Sequence, residues 1–131
     1  MNIRQLANQM GYTWWCPGCK CTHAVNVHSP RPPSWGFNNN VEAPTFTPSV
    51  LARGIKQDLT DKQLEQYDLD CERLDHDELL VHPVYGERCH VFIRDGQIQF
   101  LDDCTHALKG QTVPIPPWPY PAGEYGGIID P

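Results

Sequence analysis

The chain has 131 residues, of which 40% are hydrophobic and 20% are charged, and this composition predicts one folded domain rather than a disordered chain. The formal net charge of -6 argues against a nucleic-acid partner, because phosphate binding depends mainly on clustered lysine and arginine. The sequence holds no stretch of about 18 apolar residues and no signal-peptide pattern, so we expect no membrane partner and a cytoplasmic location. Thiols stay reduced there, and the 6 cysteines therefore indicate metal binding or catalysis before disulfides.

The N-terminal part carries the first metal-binding pattern. Apolar residues at helical spacing predict a short amphipathic helix over residues 3–10. The segment 12–28 then predicts two short strands joined by a tight turn that holds Cys16-Pro17-Gly18-Cys19. Two thiolates at this spacing are typical of half a zinc ribbon, so the segment predicts a zinc knuckle that needs two further ligands.

The middle and the end of the chain predict accessory segments of a single domain over residues 1–131. Residues 54–86 are acidic and predict a helical insertion, whose first helix begins at a capping box of Thr60 and Gln63. We expect this insertion to contribute least to the chemistry. Residues 114–131 form a proline-rich strap that either binds an aromatic groove of a partner or lies against its own domain.

A β-hairpin is the strongest local prediction. Two β-rich runs flank the dipeptide Asp95-Gly96, which is typical of a two-residue hairpin turn and pairs Arg94 with Gln97. Together with the knuckle and the insertion, the hairpin predicts an α+β fold built on a small antiparallel β-sheet.

The register of this hairpin predicts which side chains share a face. Cys89 and Cys104 lie on the core face, near the open ends of the two strands, where they can complete a tetrahedral cage with Cys16 and Cys19. The alternative is that both are buried core thiols. We treat the two remaining cysteines, Cys21 and Cys71, as non-ligands.

Three histidines and one aspartate lie close to these cysteines in sequence or on the predicted hairpin: His23, His90, His106 and Asp103. Such side chains can form a zinc site with an open fourth position, where the metal lowers the pKa of bound water to about 7. Each histidine taken alone is as well explained by a solvent-facing or core position. The complete set of candidate zinc ligands is Cys16, Cys19, His23, Cys89, His90, Cys104 and His106.

A proline-stiffened segment adds two further catalytic candidates. Pro44 and Pro48 restrict the backbone around them. Glu42 lies two residues before Pro44, and Ser49 directly follows Pro48. Glu42 is a candidate general base and Ser49 a candidate oxyanion donor. The alternative is an edge loop that carries an exposed glutamate.

Several blocks of the sequence resemble a known family of small phage and bacterial proteins of unknown function, often mislabelled as ammonia monooxygenase. The blocks are Trp15-Cys16-Pro17-Gly18-Cys19 with His23, Trp35, Glu42-x-Pro44-Thr45-Phe46-x-Pro48-Ser49, Cys89-His90-x-Phe92-Ile93-x-Asp95-Gly96, and Phe100-Leu101-x-Asp103-Cys104-x-His106-Ala107-Leu108-x-Gly110-Gln111. The resemblance covers about two-thirds of the chain. The helical insertion and Cys21 depart from the family pattern.

Some members of that family accompany ubiquitin-like conjugation genes and look like zinc peptidases, and this resemblance implies a function. We expect a zinc-dependent peptidase or isopeptidase that acts on a ubiquitin-like or other protein in the bacterial host cell. The alternative is a non-enzymatic zinc-binding phage accessory protein or adaptor that binds a host protein. The resemblance extends a catalytic role to Glu42, Ser49, His90, Asp103 and His106, and metal binding to the cysteines.

Overall fold

The computed structural model describes residues 2–121, which form two antiparallel sheets and two short helices. The first sheet has the order β1 (Arg4–Gln5), β2 (Gly11–Cys16), β3 (Cys21–Asn26). The second has the order β4 (Gly36–Phe37), β5 (Phe46–Ile55), β6 (Gly86–Arg94), β7 (Gln97–Phe100), β8 (Thr112–Pro114). Helices α1 (Asp61–Asp70) and α2 (His76–Leu80) connect β5 to β6. The predicted α+β class is confirmed.

The first sheet corrects one prediction and confirms another. The amphipathic helix over residues 3–10 is wrong, because Arg4 and Gln5 pair with β2 and the chain then turns back at residues 6–10. A hydrogen bond closes this turn, in which the Leu6 N–H donates to the Gly11 carbonyl oxygen at 2.9 Å. The two strands of the knuckle are confirmed as β2 and β3, with the CxxC turn between them.

The predicted hairpin is confirmed in both turn and register. Asp95 and Gly96 adopt φ angles of 50° and 78°, as a two-residue turn of this type requires, and Arg94 pairs with Gln97. The core face of the hairpin is also as predicted, with buried side chains at Cys89, Val91, Ile93, Ile98 and Phe100.

The pairing of β5 with β6 contains one irregularity. The register shifts between Phe46 and Val50, so the ladder is interrupted over the residues between them. Beyond this interruption Leu51 lies opposite His90, and Arg53 lies opposite Arg88.

The insertion and the strap both lie against the domain. A capping box starts α1 at Thr60, and α2 packs against β5 and β6. At the C-terminal side, the Asn2 side-chain amide donates to the Ile115 carbonyl oxygen at 2.7 Å, and the Arg4 guanidinium lies 4.4 Å from the centre of the Trp118 ring. The rest of the predicted strap, residues 122–131, lies outside the described residues.

None of the helices in residues 2–121 is long and apolar enough to cross a membrane.

The core joins the two sheets through aromatic packing. The rings of Trp14 on β2 and Phe46 on β5 stack with centroids 5.8 Å apart, and neither side chain is more than 1% exposed. Buried aromatic rings contribute most to core stability through the apolar area that they remove from water.

Truncation of this stack should therefore be costly. We expect Trp14→Ala to lower the free energy of unfolding by about 3–5 kcal/mol, the range for large-to-small aromatic core changes. The control is Leu69→Ala on α1, where the side chain is 64% exposed and the change should stay within about 0.5 kcal/mol. Denaturant titration measures the free energy of unfolding of both variants. Equal losses would contradict a stabilising role of the Trp14 contact.

Candidate active site and cysteine cluster

A serine, a histidine and an aspartate meet on the outer face of the second sheet. His90 Nε2 lies 2.9 Å from Ser49 Oγ, and His90 Nδ1 lies 3.1 Å from Asp103 Oδ2. Both distances are those of hydrogen bonds. The imidazole therefore bridges a hydroxyl and a carboxylate, one through each of its ring nitrogens.

Three different elements deliver these side chains. His90 lies near the middle of β6, and Ser49 lies on β5 at the interruption of the β5–β6 ladder. Asp103 lies in the loop after β7, and this loop remains attached to β6 because the Leu101 N–H donates to the His90 carbonyl oxygen at 2.9 Å. The cross-strand pairing of β5 and β6 therefore creates the contact between serine and histidine.

Two neighbouring side chains hold the backbone around the site. The Arg88 Nε–H donates to the Asp103 carbonyl oxygen at 2.9 Å, and the same nitrogen lies 4.0 Å from Asp103 Oδ2. The Trp35 indole N–H donates to the Ser49 carbonyl oxygen at 3.2 Å. Both bonds restrict the positions from which Asp103 and Ser49 approach the imidazole.

The site is open to solvent. The side chain of His90 is 27% exposed and that of Asp103 is 44% exposed. A large substrate can therefore reach the imidazole and the serine without movement of a covering element in the described part of the chain.

A cysteine cluster lies on the opposite, buried face of β6. The donor atoms of Cys16, Cys19, His23 and Cys89 all lie within 4.8 Å of one another. The sulfurs of Cys16 and Cys89 are 3.9 Å apart, close to the separation of about 3.8 Å for two thiolates bound to one tetrahedral zinc.

The polar atoms of this cluster fit a metal ion. His23 Nε2 is buried without a hydrogen-bond partner, which is costly unless a ligand satisfies it. The Cys19 N–H approaches Cys16 Sγ at 3.4 Å. Hydrogen bonds, first from Cys19 and then from Cys89, lower the pKa of the Cys16 thiol, whereas the contact with Cys16 raises the pKa of both Cys19 and Cys89. The thiolate is the form that binds metals.

A second group of donors shares one cysteine with the first. Cys89, Cys104 and His106 also place their donor atoms within 4.8 Å of one another. The Leu108 N–H donates to His106 Nδ1 at 3.2 Å, while His106 Nε2 is buried without a hydrogen-bond partner. Burial lowers the pKa of His106, which favours the neutral imidazole that metals bind.

The structure groups the predicted zinc ligands differently from the sequence-based prediction. The predicted cage combined Cys104 with the other three cysteines, but among the residues described His23 completes that four-donor group and Cys104 falls in the second. His90 belongs to neither group, because its two ring nitrogens face Ser49 and Asp103. His106 lies with the cysteines rather than with His90.

Glu42 lies apart from these residues. It belongs to the loop that packs on the hairpin turn, where its carbonyl oxygen would be 3.6 Å from a Cβ atom placed on Gly96. His90 lies four residues before the end of β6 at Arg94, so the Glu42 backbone beside the turn is separated from His90 by about 13 Å along the strand direction. The structure does not bring Glu42 to the His90 centre.

The sequence did not predict the contact between Ser49 and His90. The predicted hairpin placed His90 and Asp103 on one face, but no local motif specifies which strand pairs with the other edge of β6. The role of Arg88 was also missed. The only signal for it was its position two residues before His90, since residues two apart in a strand share a face.

Serine, histidine and aspartate in this hydrogen-bonded order form the constellation of a serine hydrolase. Residues 2–101 match the model of the family described as bacterial ubiquitination-like system serine protease (BubE). The match spans more than half of the chain, and the chain belongs to this family, which links it to a bacterial ubiquitin-like conjugation system. No curated protein and no solved structure matches it.

This family corrects the predicted function. The prediction of a zinc-dependent hydrolase is wrong, since the family is one of serine proteases. The cysteine cluster can still hold a metal ion, but on the face of β6 opposite to the serine and the histidine.

The turn of the knuckle provides a test of the packing around the cluster. A Cβ atom on Gly18 would overlap the imidazole ring of His106, whereas one on Gly54 would have nothing within 4 Å. We expect Gly18→Ala to lower the free energy of unfolding by about 1–3 kcal/mol, the usual cost of overpacking. Gly54→Ala is the matched control and should be neutral or slightly stabilising. Equal denaturation midpoints would show that His106 does not pack on this turn.

Proposed function

We propose that the chain is a serine peptidase in which Ser49 is the nucleophile, His90 the general base and Asp103 the residue that orients the imidazole. The observation that carries this proposal is the pair of hydrogen bonds at His90, to Ser49 Oγ at 2.9 Å and to Asp103 Oδ2 at 3.1 Å. A hydroxyl becomes an effective nucleophile at neutral pH when an adjacent base accepts its proton.

The reaction divides into two half-reactions. Ser49 Oγ attacks the carbonyl carbon of the scissile amide while His90 Nε2 accepts the hydroxyl proton. The tetrahedral intermediate then collapses, the C–N bond breaks, and the imidazolium gives the proton to the leaving amine. Water attacks the resulting acyl-enzyme ester by the same route, which releases a carboxylic acid and restores the serine hydroxyl.

Asp103 and Arg88 support the base in this scheme. The carboxylate of Asp103 accepts from His90 Nδ1–H, which leaves Nε2 free to receive the proton from the serine and stabilises the imidazolium that forms. Arg88 acts as a positioning residue, because its bond to the Asp103 carbonyl oxygen fixes the loop that carries the carboxylate.

The substrate that we propose is a protein of the ubiquitin-like conjugation system, either a ubiquitin-like protein with a tail to be processed or its conjugate. Two features support this: the family description and the exposure of His90 and Asp103 on an open sheet face. A peptide bond and an isopeptide bond differ only in the amine that leaves, so the same residues serve both.

We also propose that Cys16, Cys19, His23 and Cys89 hold a structural zinc ion. Four protein donors of this type fill the tetrahedral coordination of zinc and leave no position for water. When bound, the metal would supply folding free energy. Its effect on catalysis would be indirect, because Cys89 directly precedes His90 on β6.

The nucleophile can be tested with a fluorophosphonate probe, which reacts with activated serines. We expect the probe to modify Ser49 of the wild-type protein, and Ser49→Ala to lower peptidase activity by about a thousandfold or more. His90→Gln should abolish modification without removing the serine. The control is Ser29→Ala, since that hydroxyl donates only to the Arg31 carbonyl oxygen. Modification of another serine, with Ser49 unmodified, would refute the assignment.

The metal site can be tested by elemental analysis of the purified protein. We expect Cys16→Ser to lose bound zinc and most of its stability, because structural zinc contributes about 10–16 kcal/mol in small metal domains. The control is Cys71→Ser, where the cysteine is exposed and outside both donor groups. A Cys16→Ser protein with full zinc content and unchanged melting temperature would contradict the proposed ligands.

A further inference from the structure

A cleft with a positively charged lining lies beside the Ser49, His90 and Asp103 site. Its volume is about 410 Å³, which is large enough for several side chains of a bound peptide. Four cationic side chains and one carboxylate line it: Arg53, Lys56, Arg88, Lys109 and Glu87.

The fold places these cations together from three directions. Arg53 and Arg88 lie opposite each other on β5 and β6, and Lys109 belongs to the loop that follows Asp103. Residues 80–83 of the insertion form the facing wall. This wall is held close, because the Gly86 N–H donates to the His82 carbonyl oxygen at 2.8 Å and a Cβ atom on Gly86 would overlap the Leu80 carbonyl.

The positive charge of the cleft is only partly neutralised within residues 2–121, since Glu87 belongs to the same lining and interacts electrostatically with Lys56. Arg88 lies near the Asp103 carboxylate, and Glu87 approaches the Thr105 hydroxyl at 3.4 Å. No ion pair within 4.0 Å joins the other three cations to a carboxylate of the described residues. The whole chain has a net charge of -6, so this local excess of cations has the opposite sign to the average surface.

The cleft lies further along β5 from the serine, and neither Ser49 nor His90 belongs to its lining. Residues 49, 51 and 53 follow one another along the outer side of β5, and Leu51 beside His90 is 50% exposed. Two residues of a strand span about 7 Å, so Arg53 lies about 13 Å from Ser49. An extended substrate covers that distance with about four residues. The exposed Leu51 lies between the two ends.

We propose that this cleft binds an acidic segment of the protein substrate, a few residues from the bond that is cleaved. This inference rests on the proposed peptidase function, because the bound segment belongs to a substrate only if Ser49 cleaves it. Carboxylate side chains would pair with Arg53, Lys56 and Lys109, and charge complementarity of this kind selects partners and speeds their encounter.

The binding test uses the Ser49→Ala protein, so that no peptide is consumed. The probes are a short fluorescein-labelled peptide rich in glutamate and its twin with glutamine in place of each glutamate. We expect the glutamate peptide to bind about tenfold more tightly at low salt, and the preference to shrink as salt is raised. Fluorescence polarisation measures both affinities.

Variants of the cleft cations then show which residues cause the preference for the glutamate peptide. The double change Arg53→Gln with Lys109→Gln should remove the preference for glutamate, while Lys62→Gln, a lysine on α1 outside the cleft, should keep it. Equal binding of the two peptides, or a preference that survives the double change, would overturn the inference.

Modification of Ser49 by the fluorophosphonate probe distinguishes failure of the cleft inference from failure of the proposed peptidase function. If the fluorophosphonate probe leaves Ser49 of the wild-type protein unmodified, the peptidase proposal fails and the inference about substrate fails with it. If Ser49 is modified but glutamate gives no preference, only the cleft inference is overturned. Modification of Ser49 together with a preference that the double variant loses supports both.

Discussion

The antiparallel pairing of β5 with β6 is the contact on which the proposed catalytic site depends. It brings Ser49, from a segment rich in proline, to His90, which lies 41 residues further along the chain. Without this pairing, the serine would have no base within reach. The interruption between Phe46 and Val50 lies where a bulge can re-aim a side chain out of the regular ladder.

The alternation of side chains along β6 separates two chemical environments by one residue. Cys89 points into the buried cluster and is 1% exposed, whereas His90 points outward to Ser49 and Asp103. The loop after β7 repeats the arrangement, with Asp103 exposed and Cys104 buried. A metal at the cluster would therefore stabilise the backbone on which the proposed catalytic residues lie, while remaining on the other side of the sheet from them.

The sequence predicted those features that depend on local geometry. The Asp95-Gly96 turn and its faces follow from a two-residue loop that permits only one register. The knuckle strands follow from the CxxC spacing and the β-rich runs around it. The same hairpin predicted His90 and Asp103 on one face, and the two side chains are in contact, although β7 ends at Phe100 and Asp103 lies in the loop that follows.

The remaining features depend on pairings between distant segments, which no local pattern encodes. The apolar spacing of residues 3–10 fits a helix, but the tertiary pairing of Arg4 and Gln5 with β2 overrides that propensity. Glu42 was placed near the reaction centre because prolines stiffen its segment, yet stiffness does not determine direction. Residues 80–83 of the insertion line the cleft beside the proposed active site, a position that depends on how the connection between β5 and β6 packs back on the sheet.

Because Cys89 and His90 are adjacent and face opposite sides of β6, the site is sensitive to whether an odd or an even number of residues is added to or removed from this strand. Adding or deleting a single residue between the Asp95-Gly96 turn and Cys89 would turn the thiol toward solvent and the imidazole toward the core, so both centres would be lost together. Adding two residues would restore the faces but shift each side chain by about 7 Å along the strand. Length changes should therefore be better tolerated in the connection between β5 and β6, over residues 56–85, whose length is independent of this register.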